Sequence, residues 1–191
     1  MVEVNKLVSL QKTVNHDAAL ELVKEVKDES DLMGAVKVSL STSIPSTKIM
    51  ISKDADGYII ASTNLNLDML GVRVGEIELP ETKERMRCAQ MLFGARTSYV
   101  RVVHYQGRCI LRDGYTRVYG LMSKGFIRVP CIFVEATDST QVGFASNAPH
   151  LFPREVVMSS NPPLIHDFME IADSIDMPIT GKVIKVRLEE M

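Results

Sequence analysis

Apolar residues follow a helical spacing in the first predicted element of this chain and alternate with polar ones in the next. A helix is predicted over 15–28, with Asn15 as its N-cap and an apolar stripe of Ala19, Val23 and Val26. Alternation over 34–40 predicts a half-buried strand. Two further strands are predicted within 47–63, because the turn-forming run Asp-Ala-Asp-Gly separates two β-rich segments there.

The middle of the chain contains a segment interrupted by polar residues, followed by a segment whose apolar residues have helical spacing. Residues 62–76 are predicted as a loop that contains one short strand. A helix is predicted over 80–94, because acidic residues follow Pro80 at its positive end and Gly94 stands where a C-terminal cap belongs. Its apolar face would consist of Met86, Ala89 and Phe93.

The segment from 98 to 136 predicts a hairpin, a helix and another strand. Two β-rich runs flank Gln106-Gly107, where Gly107 can take the positive φ of a tight turn. Helical spacing then predicts a helix that ends at Gly125. The apolar run 126–136 predicts a strand, and Pro130 places part of it at an edge or a bulge.

The C-terminal region completes the predicted fold. A Ser-, Asn- and Pro-rich stretch, 137–163, predicts mostly loop, followed by a helix near 163–175 and a closing strand over 181–188. Strands mixed irregularly with few helices predict an α+β fold, a mixed sheet with short helices. The length of 191 residues fits a single domain, 1–191, that needs no disulfide or metal to hold it.

Composition and charge narrow the function classes. The net charge of −2 disfavours a nucleic-acid partner, leaving only a local basic patch for such binding. The cysteines Cys88, Cys109 and Cys131 form no C-x-x-C and are expected to be buried, inert thiols. Reduced cysteines, the lack of a signal-peptide pattern and the lack of a membrane-spanning apolar run predict a soluble, cytoplasmic protein with no membrane partner.

The main candidate for chemistry is the corner between a strand and a helix, Asp113-Gly114-Tyr115-Thr116-Arg117. If Gly114 opens the helix, the amides of the first turn point outward, and the helix dipole favours an anion there. Arg117 offers a planar cationic fork suited to phosphate. The structural alternative makes Asp113 an N-cap that accepts from the Tyr115 or Thr116 amide, with Arg117 as a solvated surface residue.

The run ILRDGYTRVYGLMSKGFIRVPCIF, which contains this corner, resembles the core of the ParB/sulfiredoxin-like superfamily. In that superfamily a strand leads through a glycine- and arginine-containing turn into a short helix that ends in glycine, and a Val-Pro strand follows. Asp113, Gly114 and Arg117 match the turn, Gly125 matches the helix end, and Val129-Pro130 matches the strand. The resemblance therefore rests on the spacing of these residues together.

The resemblance spans about residues 100–135 and implies a core motif over 95–136, with 1–95 and 137–191 as elaborations of unknown role. In the superfamily the turn and the helix N-terminus hold nucleotide phosphates, which implies that the segment from Gly114 to Arg117 binds the ligand here. Its members include nucleotide-dependent DNA-partition proteins, sulfiredoxins and free-serine kinases. A nucleoside triphosphate with Mg²⁺ is therefore the cofactor that the resemblance implies.

This sequence departs from the superfamily pattern in three places. Thr116 replaces the histidine of many relatives, so its hydroxyl can donate to phosphate but cannot act as an acid or base near neutral pH. Tyr115 occupies the position of the sulfiredoxin cysteine, which argues against sulfiredoxin chemistry. No helix-turn-helix pattern follows Val134, which argues against a partition role.

Nucleotide turnover would require a base and usually a Mg²⁺ ligand, and Asp113 is the candidate for either role. Glu135 and Asp138 are candidate second carboxylates, with solvated strand-end acids as the alternative. His104 is a candidate proton shuttle, with an exposed strand face as the alternative. Tyr115 is expected to pack in the core, and no metal site is predicted from the spacing of the histidines or cysteines.

The leading hypothesis is a protein that binds a nucleotide or another phosphorylated small molecule, either as a nucleotide hydrolase or as a small-molecule phosphotransferase. The alternative is a non-catalytic module, associated with DNA or with a protein partner, that uses an arginine-rich face. The arginines of that face are Arg96, Arg101, Arg108, Arg112, Arg117 and Arg128. Whether the chain is an enzyme is left open by the sequence.

Overall fold

The computed structural model describes residues 1–41, 48–62, 67–95, 98–144, 149–170, 172–175, 181–187 and 189. The chain divides into two compact units. The first unit comprises Met1–Thr42 and Ser98–Ile175, and the second comprises Ser43–Thr97 and Asp176–Met191. Compactness alone does not decide between one folding domain and two, so the single domain stays a prediction. Within these described residues, no helix is both long and apolar enough to cross a membrane.

The regular elements are short except in one hairpin. The strands are β1 (Val2–Glu3), β2 (Leu7–Ser9), β3 (Ile49–Asp54), β4 (Gly57–Ser62), β5 (Leu67–Glu78), β6 (Arg85–Ala95), β7 (Arg101–Tyr105), β8 (Arg108–Asp113), β9 (Arg128–Val129), β10 (Ile132–Glu135) and β11 (Lys182–Arg187). The helices are α1 (His16–Leu22), α2 (Leu32–Ser39), α3 (Tyr115–Ser123), α4 (Ser139–Val142), α5 (Arg154–Val157) and α6 (Asp167–Glu170).

The first unit confirms the predicted α+β class. Its mixed sheet has the order β10-β7-β8-β2, in which the central pair β7 and β8 is antiparallel and both outer pairs are parallel. A separate antiparallel pair joins β1 to β9. Helices α1 and α3 pack against each other, and α2 also contacts α3. The core includes the fully buried Leu7, Ile110, Leu111, Val118 and Leu121.

Three local predictions for the first unit are confirmed at the level of hydrogen bonds. Asn15 caps α1 by accepting from the Ala18 amide at 2.9 Å. The β7–β8 turn has φ angles of 49° at Gln106 and 77° at Gly107, both positive as a two-residue turn of type I′ requires. Gly125, with φ 88°, ends α3, and its amide bonds the carbonyl of Met122 at 2.9 Å.

The strand predicted over 34–40 is wrong, because this segment forms α2. Asp31 caps that helix by accepting from the Gly34 amide at 2.9 Å. Ala35 and Ser39, four residues apart, are both fully buried, so one face of a short helix packs inward. The alternation of apolar and polar residues was thus outweighed by an N-terminal cap and by burial at helical spacing.

The helix predicted over 80–94 is also wrong, because most of it forms β6. Strand β6 pairs with β5 in antiparallel register from Leu67↔Ala95 to Glu78↔Arg85, with one bulge. Lys83 has φ 57°, which places the segment after Pro80 in a turn rather than in a first helical turn. Long-range pairing outweighed the helical spacing of the apolar residues.

Other boundaries differ from the predictions in extent. The loop predicted over 62–76 contains the long strand β5, apart from residues 63–66, which lie outside the described part of the chain. The helix predicted over 15–28 ends at Leu22. The helix near 163–175 is reduced to α6, four residues long. Pro130 divides the predicted strand 126–136 into β9 and β10, which pair with different partners.

The second unit contains two sheets. Strands β11, β4 and β3 form an antiparallel three-stranded sheet in that order. Strands β3 and β4 are the two strands predicted within 47–63, and β11 is the predicted closing strand. Strands β5 and β6 form the two-stranded sheet. Many apolar side chains of this unit are exposed, with exposed fractions of 68% for Ile51 and 61% for Val74.

Candidate functional site

The corner joins the end of β8 to the start of α3 through a glycine that no other residue can replace without strain. Gly114 has φ 87° and is the N-cap of α3. A Cβ atom added there would lie 2.7 Å from the Cα of Val100 and 2.8 Å from the carbonyl oxygen of Tyr99. Real Cβ atoms do not approach backbone this closely, so the corner requires glycine.

Asp113 does not have the capping geometry of the structural alternative. Its Oδ1 accepts from the amide of Gly114 at 2.7 Å, and no side chain caps α3 in the described part of the chain. The expectation that Asp113 accepts from Tyr115 or Thr116 is therefore wrong. The expectation that the Gly114 amide is free for a ligand is wrong as well, and the outward-facing amides of the first turn are those of Tyr115 and Thr116.

Three guanidinium groups act on the Asp113 carboxylate. Arg101 is its cross-strand partner in β7, and Arg112 and Arg117 are its neighbours along the chain. Burial raises the pKa of Asp113, whereas the hydrogen bond from the Gly114 amide and the three arginines lower it. The effect of burial is the larger one, so the pKa is raised. The carboxylate therefore holds its proton more tightly than an ordinary aspartate does, although cations surround it.

Arg117 is anchored to α2, so the expectation of a solvated surface residue is wrong. Its Nη1 donates to the carbonyl oxygen of Val38 at 2.9 Å, in the last turn of α2, and its Nε donates to Oγ of Ser98 at 3.4 Å. Burial lowers the pKa of this guanidinium, while Asp113 and Tyr99 raise it. Arg117 thus positions α2 beside the corner, and only its remaining N–H groups can reach a ligand.

Tyr115 supplies a backbone amide to the corner, while its side chain belongs to the core, as predicted. Its exposed fraction is 4%, its hydroxyl donates to the carbonyl of Leu111, and it accepts from the Leu10 amide at 2.9 Å. Burial raises the pKa of this hydroxyl far above its ordinary value. Thr116, in contrast, is half-buried.

Tyr115→Phe is expected to lower the free energy of unfolding by about 1–3 kcal/mol, because it leaves the buried Leu10 amide without an acceptor. Tyr119→Phe is the control on the same helix, since the one hydrogen bond of the Tyr119 hydroxyl within the described residues joins it to the exposed His16 ring at 3.1 Å. Urea unfolding followed by near-UV circular dichroism measures both. Equal losses in the two variants would contradict a structural role for the Tyr115 hydroxyl.

A buried hydroxyl without a partner lies in the same turn of α2 that Arg117 contacts. Ser39 is fully buried, and within the described structure its Oγ has no hydrogen-bond partner. Its carbonyl oxygen accepts from the Val100 amide at 2.9 Å. A buried polar atom of this kind is unusual and calls for a water, an ion or a ligand atom as its partner.

Two of the other predicted acids have roles that the structure defines. Asp138 caps α4, accepting from the Thr140 amide at 2.7 Å, and this bond lowers its pKa. Glu135 instead binds His104, whose Nδ1 lies 2.8 Å from Oε2 of the carboxylate. Neither acid is brought to the corner by a contact in the described chain.

The predicted arginine-rich face is only partly assembled. Arg108 donates to the carbonyl oxygens of Val157, Met158 and Ser159 at 2.6–3.3 Å. Arg128 binds Glu3 at 2.8 Å, and Arg96 lies outside the described residues. Arg101, Arg112 and Arg117 are the arginines that act on Asp113. They form the cationic surroundings of the corner.

The described residues also bear on metal binding and on the cysteines. No group of three or more His, Cys, Asp or Glu side chains in the described chain could hold a metal ion. The three cysteines are free thiols, but all are half-buried, so the expectation of fully buried thiols is wrong.

Asp113→Asn is expected to raise the melting temperature at neutral pH. Because the folded-state pKa of Asp113 is raised, its charge costs stability, and this cost develops as the pH rises above the ordinary value of 3.8. The stability difference between the variant and the wild type should therefore grow as the pH rises above about 4, until Asp113 is ionised in the folded state as well. Thermal unfolding of both proteins between about pH 3 and about pH 7 tests the sign, and a difference that shrinks as the pH rises would contradict it.

Sequence reasoning missed the residues that close the corner from other segments. Val38, Ser98 and Tyr99 reach it through backbone or hydroxyl groups, and no motif marks them. No family model, no curated protein and no solved structure matches this chain. The ParB/sulfiredoxin-like resemblance therefore stays a prediction that rests on the sequence motif.

Proposed function

We propose that the corner binds the phosphate groups of a nucleotide or of another phosphorylated small molecule. The observation that carries this proposal is the N-terminus of α3, which no side chain caps in the described chain and beside which three arginines surround a single carboxylate. The free amides of Tyr115 and Thr116 and the positive end of the helix dipole favour an anion at this position.

The balance of charge supports an anionic ligand. Arg101, Arg112 and Arg117 all act on the Asp113 carboxylate, so three cationic groups meet this one anionic group before the helix dipole adds about half a positive charge. The side chain of Arg101 is exposed and makes no hydrogen bond to another described residue, so its guanidinium is available for phosphate. The half-buried Thr116 adds a hydroxyl donor.

Turnover of the ligand is the second part of the proposal, and Asp113 is the group that would carry it. A raised pKa brings a carboxylate closer to the working range of a general base. Mg²⁺ usually binds through one or two carboxylates together with substrate phosphates, so Asp113 alone can contribute a ligand. Such an ion would neutralise phosphate charge, while Arg101 and the α3 amides orient the phosphate.

The alternative, a DNA-associated or protein-interaction module, has less support. Such a module needs a continuous basic face, but four of these arginines already bond to protein groups, namely Arg108, Arg112, Arg117 and Arg128. Arg101, Arg112 and Arg117 lie around one helix terminus, which suits a small phosphate ligand better than a polymer backbone.

Calorimetric titration with ATP, CTP, GTP or ADP in the presence of Mg²⁺ tests the proposal. Arg101→Ala is the informative variant, because Arg101 is exposed and its loss breaks no hydrogen bond of the described fold. Loss of one charge-assisted phosphate contact is expected to weaken binding about tenfold or more. Arg117→Ala is less informative, since it also removes the bond to Val38.

Arg187→Ala, which removes an exposed arginine from the second unit, is the control for loss of charge. The proposal expects saturable binding that Arg101→Ala weakens and Arg187→Ala leaves unchanged. The proposal would be contradicted if none of the four nucleotides bound saturably, or if both variants weakened binding equally. The corner would then have a structural role alone. A steep salt dependence of duplex DNA binding, lost in Arg101→Ala, would favour the alternative instead.

A further inference from the structure

A carboxylate, an imidazole and a thiol lie in one cross-strand row of the four-stranded sheet. Glu135 of β10 is in register with His104 of β7, and His104 is in register with Cys109 of β8. Residues in register across a sheet project from the same face. This row, Glu135–His104–Cys109, is called the thiol row below. It lies four residues before the corner along β8, about 13 Å away.

The β7–β8 turn brings His104 and Cys109 close together. Tyr105 and Arg108 flank the two-residue turn, so the next pair outward, His104 and Cys109, is the non-hydrogen-bonded pair of the ladder. Side chains of such a pair have Cβ atoms about 4.5–5.5 Å apart. His104 and Cys109 share no hydrogen bond in the described structure, but they are direct neighbours on one face.

Glu135 fixes one nitrogen of the imidazole and leaves the other available. Nδ1 of His104 lies 2.8 Å from Oε2 of Glu135, and the ring stacks on Phe133 with 6.1 Å between centroids. A carboxylate on Nδ1 favours the tautomer that carries its proton there, which leaves Nε2 as a proton acceptor. The thiol row thus combines an oriented base with a neighbouring thiol.

Cys109 also lines a cleft with a cationic wall. The cleft has a volume of about 350 Å³ and is lined by Met1, Val2, Glu3, Lys6, Cys109 and Arg128. Glu3 binds both Lys6, at 2.5 Å, and Arg128, at 2.8 Å. Two cationic side chains therefore share one carboxylate, so the cleft suits a small molecule that carries an anionic group.

We propose that Cys109 is a nucleophile that accepts a carbon group from a small anionic electrophile bound in this cleft. In the transfer step an S–C bond forms, the bond between that carbon and its leaving group breaks, and the leaving group departs with the electron pair. The thiol proton passes to Nε2 of His104. His104 is the catalytic base, Glu135 is a positioning residue, and Lys6 and Arg128 hold the anionic group.

The surroundings of Cys109 favour the protonated thiol, so the thiol needs a base before it can react. Burial raises the pKa of Cys109, and the charge of Glu135 raises it further, while Lys6 lowers it. The resting group is thus a neutral thiol, which protects it from adventitious reaction. Proton transfer to His104 is then the step that makes it nucleophilic.

Alkylation rates measured by mass spectrometry test the proposal on the intact chain. The probes are iodoacetamide, which is neutral, and iodoacetate, which is anionic, and each transfers a carbon group with loss of iodide. Cys131 is the internal reference, because it is also a half-buried thiol whose pKa burial raises. The expected result is a Cys109 rate at least about tenfold above that of Cys131, lost in His104→Ala.

The same experiment separates the base, the positioning carboxylate and the cationic wall. Glu135→Gln, which keeps an oxygen for the Nδ1–H of His104, should slow Cys109 less than Glu135→Ala does. Lys6→Ala and Arg128→Ala should lower the ratio of the iodoacetate rate to the iodoacetamide rate at Cys109 but not at Cys131. Unfolding of a variant would instead accelerate all three thiols together, so it is recognised in the same spectra.

Equal rates at Cys109 and Cys131 in the wild type would overturn the proposal. So would a Cys109 rate that His104→Ala leaves unchanged, since the thiol would then react without a base. If the ratio of the iodoacetate rate to the iodoacetamide rate is the same at both cysteines, the cleft does not favour anionic electrophiles, and that part of the proposal is contradicted.

Discussion

Gly114→Ala is expected to lower the free energy of unfolding by about 2–5 kcal/mol, the sum of two costs. An L-residue at φ 87° carries a strain of about 1–2 kcal/mol, and a Cβ atom in close contact with packed atoms costs typically about 1–3 kcal/mol more. The contacts are with backbone atoms of Tyr99 and Val100, which cannot move aside as the end of a flexible side chain can.

Gly107→Ala separates the two costs. Gly107 also has a positive φ, 77°, but a Cβ atom there would meet nothing within 4 Å. The Gly107→Ala variant should therefore be destabilised by the backbone strain alone, which is about 1–2 kcal/mol. Near-UV circular dichroism during urea unfolding is a suitable measurement, because the chain has no tryptophan and four of its five tyrosines lie in the first unit. Equal losses at the two glycines would mean that the backbone contact is unimportant.

The elements around the corner could be predicted from the sequence, but the long-range contacts that close the corner could not. The hairpin, the helix after it and the glycine that ends that helix follow from local rules of turns and caps, so they were predictable. The corner is closed from other segments by Val38, Ser98 and Tyr99, which approach through backbone and hydroxyl groups. Such contacts are insensitive to side-chain type, so no pattern in the sequence announces them.

The two wrong assignments of secondary structure share a physical cause. Segments 34–40 and 80–94 each carry apolar residues that fit more than one periodicity, so local spacing could not decide between helix and strand. In α2 the decision came from the cap at Asp31. In β6 it came from pairing with β5 over nearly the whole strand, where Glu76 faces Arg87 and Glu78 faces Arg85.

The thiol row is a third case, in which the sequence indicates the residues but not their association. It predicts His104 as a candidate proton shuttle and Glu135, separately, as a candidate second carboxylate. Their pairing depends on β10 lying parallel to β7, and the two residues are 31 positions apart in the sequence. A strand order of this kind is set by long-range packing, so a single sequence does not reveal it.

Gly120→Ala is expected to lower the free energy of unfolding by about 2 kcal/mol, although alanine is the better helix former. In an exposed helix this change would stabilise the protein by about 1 kcal/mol. Here a Cβ atom would lie 2.6 Å from the carbonyl oxygen of Ala19 and 2.8 Å from Cγ1 of Val23, at the contact between α1 and α3. Overpacking against backbone outweighs the gain in helix propensity.

A double variant shows which contact limits the packing. Val23→Ala removes the side chain that Gly120→Ala would meet but leaves the Ala19 carbonyl in place, so it should not rescue the loss. Gly75→Ala, at a strand position where a Cβ atom meets nothing within 4 Å, should be neutral or gain about 0.5 kcal/mol. Rescue by Val23→Ala would place the limiting contact at the side chain instead.

The same glycine links core packing to the proposed ligand site. Gly120 lies about 8–9 Å along α3 from the corner, so a helix pushed away from α1 also displaces its own N-terminus. The amides of Tyr115 and Thr116 would then move relative to Arg101, which belongs to the sheet. If the corner binds phosphate as proposed, Gly120→Ala should weaken nucleotide binding at temperatures where the variant is still folded. Unchanged affinity would mean that α3 does not set the geometry of the ligand site.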